Sequence, residues 1–445
     1  MIEENSIIKK LQYLRDSVTP YKPLVAGRLV RVSGLTLEVR GISVSLGSFC
    51  DIESSDGMMK AAVVGFDGEL FFLMPVDEMQ SVTPGAKVYP LSDEKLRLSS
   101  NMLGRVLDGN GDPIDGKGSI DPDIVMSRNV EIINPLEREM ISKPMDVGIK
   151  AINTFLTIGR GQRIGLFANS GVGKSVTLGM ITRGTEAQIV VVGLVGERGR
   201  EVQEFIEESL GEEGLKKSVI VAAPADNSPL MRLRACETAT FIAEYFRSEG
   251  MDVVLMIDSL TRYAQAQREI ALSSGEPPAT KGYPPSIFAL LPKLVERAGQ
   301  GTVDQGSITG IYTVLVEGDE RQDPIADSAR AILDGHIYLN RDLAEQGHYP
   351  AIHVESSLSR VLTSITTEEH QEVQLRIRSL ISTYEKNKDL INIGAYAKGS
   401  DPNVDKAILF YPKIKEFLVQ RTSEVFSFED SLNMLKEIDK EIQSA

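Results

Sequence analysis

Residues 163–184, RIGLFANSGVGKSVTLGMITRG, run an apolar stretch into a glycine-punctuated turn and then into a helix-compatible stretch. That order is the context a phosphate-gripping loop requires. The same texture continues along the chain. Apolar runs recur at QIVVVGLVG (188–196), SVIVAAP (218–224), DVVLMID (252–258) and ITGIYTVLVEG (308–318). Between them lie helical patterns such as REVQEFIEESLGEEGL, which puts Val202, Phe205, Ile206 and Leu210 on one face. Runs apolar on both faces, alternating with helices, predict a mostly parallel sheet covered on both sides. The fold class is α/β.

The flanks read differently. Over 21–95, LVRVSGLTLEVRG and ISVSLGSFCDI alternate apolar and polar residues between glycines, which predicts a small antiparallel barrel. LGRVLDGNGDPIDGKG (103–118) is dense in Gly, Asp and Pro and reads as a loop at a domain boundary. From about 366 onward EEHQEVQLRIRSLISTYEKNKDLI and KIKEFLVQRTSE are amphipathic helices, so the C-terminal portion is expected to be helical. The start of the chain has no signal-peptide core and reads as a short amphipathic helix with Ile7, Ile8, Leu11 and Leu14 on one stripe. The expected division is 1–20 for that helix, 21–95 for the barrel, 96–365 for the α/β core and 366–445 for the helical domain.

Composition excludes several classes. Lys and Arg number 48 against 63 Asp and Glu, a net charge of 48 − 63 = −15. That balance argues against a general nucleic-acid surface, which needs a basic field. No apolar run reaches the ~18 residues of a membrane span, and cytosolic residence is the expectation. The two cysteines, Cys50 and Cys236, lie too far apart in sequence for a metal-ligand spacing and read as small buried residues. The four histidines show no zinc pattern.

Four stretches carry chemistry. In the first, Gly171 and Gly173 let backbone N–H groups converge on phosphate oxygens, Lys174 reaches the β- and γ-phosphates, and Ser175 offers a hydroxyl to Mg²⁺. The strict G-x-x-x-x-G-K-[ST] pattern fails at its first position, Ala168. That residue stays small at the strand-to-loop turn, and Asn169 beside it tolerates positive φ. Ser170, Val172 and Val176 complete the loop. In the second, VGLVGERGREV, Glu197 leaves a buried strand at its C-terminal end, where it can polarise an attacking water. Arg198, Arg200 and Glu201 are further polar candidates, and the plain alternative is a solvated charge cluster opening a helix. In the third, Asp258 ends an apolar strand 84 residues after Lys174 in the manner of a Mg²⁺-holding acid, with Arg262 and Gln265 one turn on. In the fourth, HYPAIHVESSLSRVL, Tyr349 before Pro350 reads equally as a base-stacking or a packed loop aromatic, and Arg360 reads as a surface arginine.

Together these stretches resemble the hexameric RecA-like rotary family, which includes the catalytic heads of ATP synthases and the ATPases of type III protein export. The similarity runs from about residue 21 to the C-terminal helices. It rests on LGRVLDGNGDPIDG, PMDVGIKAINTFLTIGRGQRIGLFANSGVGKS, GERGREVQEF, IDSLTRYAQAQREIALSSGEPPATKGYPPSIFALLPKLVERAG and GAYAKGSDPNVDKAI. Within the family it is nearest to the flagellum-specific export ATPases, with injectisome ATPases as the near alternative. The resemblance implies ATP and Mg²⁺ as cofactors. It assigns Glu197 to activating the water, Arg198 to a phosphate, Asp258 to supporting Mg²⁺, Arg262 to the same segment, and Tyr349 to stacking on adenine. It makes Arg360 an arginine finger reaching a neighbouring subunit's site, against the reading from composition.

The resemblance further implies a homohexamer, a FliH-type stator bound through residues 1–18, a FliJ-type stalk protein, export substrates and their chaperones. It places the protein at the cytoplasmic face of an inner-membrane export gate, with no specific nucleic acid. Two departures stand out: the family usually has glycine at Asn169, and GSDPNVDKAI replaces the acidic DELSEED stretch of ATP synthase β subunits. The second disfavours a proton-driven synthase. The acidic charge disfavours a Rho-like RNA translocase, and Glu197 with Lys174 disfavours a non-catalytic subunit. The region that would hold a second adenine-contacting aromatic has Thr422 and Ser423 instead.

Overall fold

The computed structural model describes residues 25–91, 95–128, 133–316 and 323–444, so the N-terminal stripe and the stator contact expected there lie outside the described residues. Six strands form a closed antiparallel barrel: β1 (Gly27–Ser33), β2 (Thr36–Arg40), β3 (Phe49–Ser54), β4 (Gly57–Asp67), β5 (Leu70–Pro75) and β6 (Lys87–Pro90), in the order β1-β2-β5-β4-β3-β6. Alternation drives it, since Leu29, Leu37, Val39, Cys50, Ile52, Val63, Leu73 and Val88 point inward into one apolar cluster. Register shifts at Leu29/Arg31 and Val63/Gly65 supply the bends a closed sheet needs. Gly34, at φ 58°, makes the two-residue turn between β1 and β2. The alternation in ISVSLGSFCDI overstates the strand, because residues 42–48 form a turn region and β3 begins only at Phe49.

The second unit, residues 94–445 with Val76–Glu78, is built on a nine-stranded sheet. Its strands are β7 (Val106–Leu107), β8 (Arg163–Ala168), β9 (Ile189–Val195), β10 (Ser218–Ala223), β11 (Val253–Asp258), β12 (Gly299–Gln300), β13 (Ser307–Leu315), β14 (Gly335–Leu339) and β15 (Leu358–Ser359). The order is β15-β14-β8-β13-β11-β9-β10-β7, with β12 on β13. The pairs among β8, β13, β11, β9, β10, β7 and β14 are parallel, and only β12 and β15 pair antiparallel. Every residue of β9, β10 and β11 is buried, as strands covered on both faces must be.

Two segments depart from the sequence-based expectation. The 103–118 stretch is not only a loop, since Val106 and Leu107 extend the sheet beside Ile220 and Val221. Arg105 clamps Asp115 with two hydrogen bonds of 2.7 and 2.8 Å and holds that carboxyl well below the usual carboxylate range. The 199–216 stretch is not one regular helix. It runs as Gly199–Glu204, a π-helical turn Phe205–Leu210, and Gly211–Lys216, with Gly211 at φ 64°. The predicted face survives in part: Val202, Phe205 and Leu210 are buried and Ile206 is half-buried.

Helices α1 (Lys150–Phe155), α2 (Lys174–Gly184), α3 (Pro229–Ser248), α4 (Leu260–Ser273), α5 (Pro285–Val295) and α6 (Pro324–Ile332) cover the sheet. The C-terminal helices are α7 (Glu368–Asn392), α8 (Pro402–Leu418) and α9 (Phe428–Ser444). Their apolar faces, among them Ile377, Phe417 and Ile438, join the same cluster as Ile152, Phe155 and Leu166 of the core. That shared core is why 96–365 and 366–445 fold here as one compact unit. Among the described residues no helix is long and apolar enough to cross a membrane.

Two buried histidines are expected to make this unit acid-sensitive. His370 donates from Nε2 to the carbonyl of Thr154 at 2.7 Å, while neither ring nitrogen of His348 has a partner among the described residues. Burial, aided by the charge of Lys415, pushes His348 down to about 4 from an ordinary 6.5. The unfolded chain therefore takes up a proton at a higher pH than the folded one. The neutral ring's contribution is complete above pH 6.5 and is lost as the pH falls toward 4. Between pH 7.5 and 5.5 His348 alone is expected to cost about 1 kcal/mol of unfolding free energy. Thermal midpoints at the two pH values check this: the drop is smaller in His348→Leu, which gives up no hydrogen bond, and an equal drop in both proteins contradicts it.

Candidate active site

The site assembles from the ends of four adjacent strands. β8 stops at Ala168, the loop 169–173 follows, and α2 begins at Lys174. Gly171 and Gly173 adopt φ of 81° and 90°, so both positions need glycine. Asn169 does not take positive φ; Lys281 is the only non-glycine residue that does among those described. The tolerance of Asn169 for positive φ is thus not used, and the loop's left-handed positions are Gly171 and Gly173.

Lys174 Nζ donates to Glu197 Oε1 at 2.8 Å and to Asp258 Oδ1 at 2.6 Å. Asp258 is the last residue of β11, and Glu197 lies just past the end of β9. Between β8 and β11 lies β13, whose Thr313 Oγ1 donates to the same Asp258 Oδ1 at 2.7 Å. Lysine, hydroxyl and two carboxylates therefore sit side by side at the C-terminal edge of β8, β13, β11 and β9, where open α/β sheets bind ligands. The side chains are 11% (Lys174), 13% (Glu197) and 3% (Asp258) exposed, so the ion cluster is largely withdrawn from water. Burial pulls the Lys174 ammonium down, but Asp258 and Glu197 outweigh it and raise its pKa above the ordinary lysine value. At neutral pH it is a permanent cation.

The oxygen set of Ser175, Asp258 and Glu197 is the hard-donor chemistry that suits Mg²⁺. Ser175 lies in the first turn of α2, beside the lysine. A Cβ placed on Gly173 would meet Tyr349 Cε1 at 3.5 Å, so the tyrosine ring lies against the loop with 41% of the residue exposed. Arg262, in the first turn of α4, packs its stem on Gly196 next to Glu197 and hydrogen-bonds Gln265 at 2.9 Å.

Other candidates are not brought in. Arg198 is 85% exposed and forms a 3.9 Å ion pair with Glu201, itself 43% exposed, while Arg200 pairs with Glu204. Beyond Glu197, the charge cluster is a solvated face. Arg360 is further away still. Its backbone N–H donates to Asp334 just before β14, level with Arg163 at the start of β8, and its guanidinium donates to the Arg330 carbonyl. The loop begins at Asn169, past the whole length of β8 from there, about 20 Å at strand rise. Arg360 does not reach the Lys174 of its own chain.

Thr313 is not apparent from sequence. Its signal is a hydroxyl inside the apolar run ITGIYTVL, buried from Ile308 to Val314, but which acid it faces depends on strand order.

A glycine loop feeding a helix, with its lysine locked between two strand-end carboxylates, defines a P-loop nucleotide-hydrolysing enzyme. Residues 148–359 match the ATP synthase alpha/beta family, nucleotide-binding domain, and residues 366–437 match the T3SS EscN ATPase C-terminal domain. A flagellum-specific ATP synthase of Pseudomonas aeruginosa is 55% identical, over 97% of this chain and 97% of that one. The assembled ATPase EscN of the enteropathogenic E. coli type III secretion system superposes with a TM-score of 0.88 at 43% identity, over 93% of this chain and 100% of that one. EscN in complex with its central stalk EscO gives 0.85 at 42%, with the same coverage. The chain belongs to the flagellum-specific ATP synthase family, a branch of the type III secretion ATPases, and is an ATPase.

Proposed function

We propose that this chain is the Mg-ATP-hydrolysing motor of flagellar protein export, working as a homohexamer to unfold export substrates, release their chaperones and drive their export. The observation that carries the chemistry is the Lys174–Glu197–Asp258 cluster. The flagellar assignment rests on 55% identity to the flagellum-specific relative against 43% to the secretion-system ATPase EscN.

In this reading the loop from Ala168 to Val176 wraps the phosphates, and the N-terminal end of α2 adds its dipole. Ser175 and Asp258 would hold Mg²⁺, which neutralises charge on the β- and γ-phosphate oxygens when bound. Incoming phosphates draw Lys174 away from its two carboxylates. Glu197 is then free to take a proton from the attacking water, while Thr313 keeps Asp258 oriented. The exposed Arg198 is available to the γ-phosphate, Arg262 and Glu201 support the Glu197 segment, and Tyr349 stacks on adenine. Arg360 completes the site of the next subunit, so a lone subunit hydrolyses poorly.

The EscN–EscO complex supports a central-stalk partner of FliJ type by analogy. A stator of FliH type at residues 1–18, and a position at the cytoplasmic face of the membrane export gate, complete the proposal. Deleting the gene in its host and scoring swimming and secreted filament protein tests it. Loss of both, not restored by a Glu197→Gln copy, is expected; normal flagella contradict it, and a defect confined to effector secretion would favour the injectisome reading.

A further inference from the structure

We propose that Gln420 is a positioning residue for the nucleotide base: it fixes Tyr349 against the phosphate loop and so sets ATP affinity without touching the reacting phosphates. The inference rests on the reading of Tyr349 as the base-stacking ring.

Gln420 lies two residues beyond α8 and is 2% exposed. All of its side-chain polar groups are engaged, and its backbone N–H donates to the Tyr349 carbonyl at 2.9 Å. Its Oε1 accepts from the backbone N–H of Lys150, at the start of α1, at 3.0 Å. Its Nε2 donates to the carbonyls of Gly148 at 2.8 Å and Glu424 at 2.9 Å. The buried side-chain amide thus joins the entry to α1 to the segment that returns from α8, and the backbone of the same residue holds the loop carrying Tyr349. A buried amide with every group satisfied is a rigid joint, and removing its side chain takes the partner from the Lys150 N–H and the Glu424 carbonyl.

The joint has a direction. Gly148 O also accepts from the Phe426 N–H at 3.2 Å, so residues 420–426 are pinned at both ends to 148–150. Between them, the Thr422 carbonyl accepts from Arg183 of α2 at 2.7 Å, tying the segment to the helix that begins with Lys174. The Tyr349 ring beside Gly173 is located by its backbone, and Gln420 holds that backbone. A ligand with phosphates and no base should not sense this joint, whereas a ligand with a base should.

The test uses the full-length protein and Gln420→Met, which keeps side-chain length and loses every side-chain hydrogen bond. Gln420→Glu is the second variant, keeping the acceptor toward Lys150 and losing both donors. The KM for ATP is expected to rise about tenfold in Gln420→Met, the scale of losing one good base stack. The kcat is expected to change far less. The inhibition constant of magnesium tripolyphosphate, which has phosphates and no base, stays within about twofold, and Gln420→Met adds nothing to KM in a Tyr349→Ala background. An unchanged KM, or a KM and an inhibition constant that rise together in both variants, overturns the inference by making Gln420 a general structural residue. Tyr349→Ala with an unchanged KM overturns the stacking reading itself and this inference with it. A raised KM in Tyr349→Ala, without one in the Gln420 variants, sinks the inference alone.

Discussion

Glu197→Gln is expected to bind Mg-ATP as tightly as the parent protein and to turn it over at least a hundredfold more slowly. The substitution keeps the side chain's size and its ability to accept the 2.8 Å hydrogen bond from Lys174. What it removes is the ability to take a proton, and a positioned general base contributes roughly 10²–10⁴-fold. Phosphate release under saturating ATP and equilibrium binding of a fluorescent ATP analogue separate the two effects. The largely buried setting sharpens the prediction, because Glu197 is 13% exposed and little bulk water can replace it. A variant that retained more than a fifth of the parental rate would remove Glu197 from the chemistry.

Arg360→Ala is expected to lose about 10³-fold or more in kcat, the scale of an arginine finger, with assembly intact. Within its own chain the guanidinium gives up one exposed 3.2 Å hydrogen bond to the Arg330 carbonyl, so folding has little to lose. Nor can the loss come from its own phosphate loop. Arg360 stands at the N-terminal end of β14, and the loop stands at the C-terminal end of neighbouring β8. Turnover measured beside light scattering checks it. A large rate loss with full assembly fits a residue acting on a neighbour, and loss of assembly instead would make Arg360 a contact residue.

Much of this geometry was legible in the sequence, for a physical reason. Strands buried on both faces are written as unbroken apolar runs, so their ends, where Glu197 and Asp258 emerge, are visible without a structure. Lys174 was equally visible, because the glycines before it have only a few uses. What stayed hidden depends on neighbours. That β13 lies between β8 and β11 cannot be read from chain order, and Thr313 matters only because of that placement. The direction of Arg198 depends on how the helix after Glu197 opens, and it opens toward solvent. Asn169 tolerates positive φ, yet Gly171 and Gly173 take it, since local propensity says which residues tolerate that conformation and not which one adopts it. Gln420 resembles any polar residue ending an amphipathic helix until its four partners, Gly148, Lys150, Tyr349 and Glu424, come together.

Whether two copies build one active site is decided by the ATPase rate of Glu197→Gln and Arg360→Ala proteins mixed before assembly. Each is inactive alone. In a mixed ring, an interface with the loop side from the Arg360→Ala copy and the finger side from the Glu197→Gln copy is intact, about one interface in four for random head-to-tail assembly. A site shared between neighbours requires that the mixture regain hydrolysis that neither parent shows. Mixed assemblies that form fully and stay as inactive as their parents would contradict it.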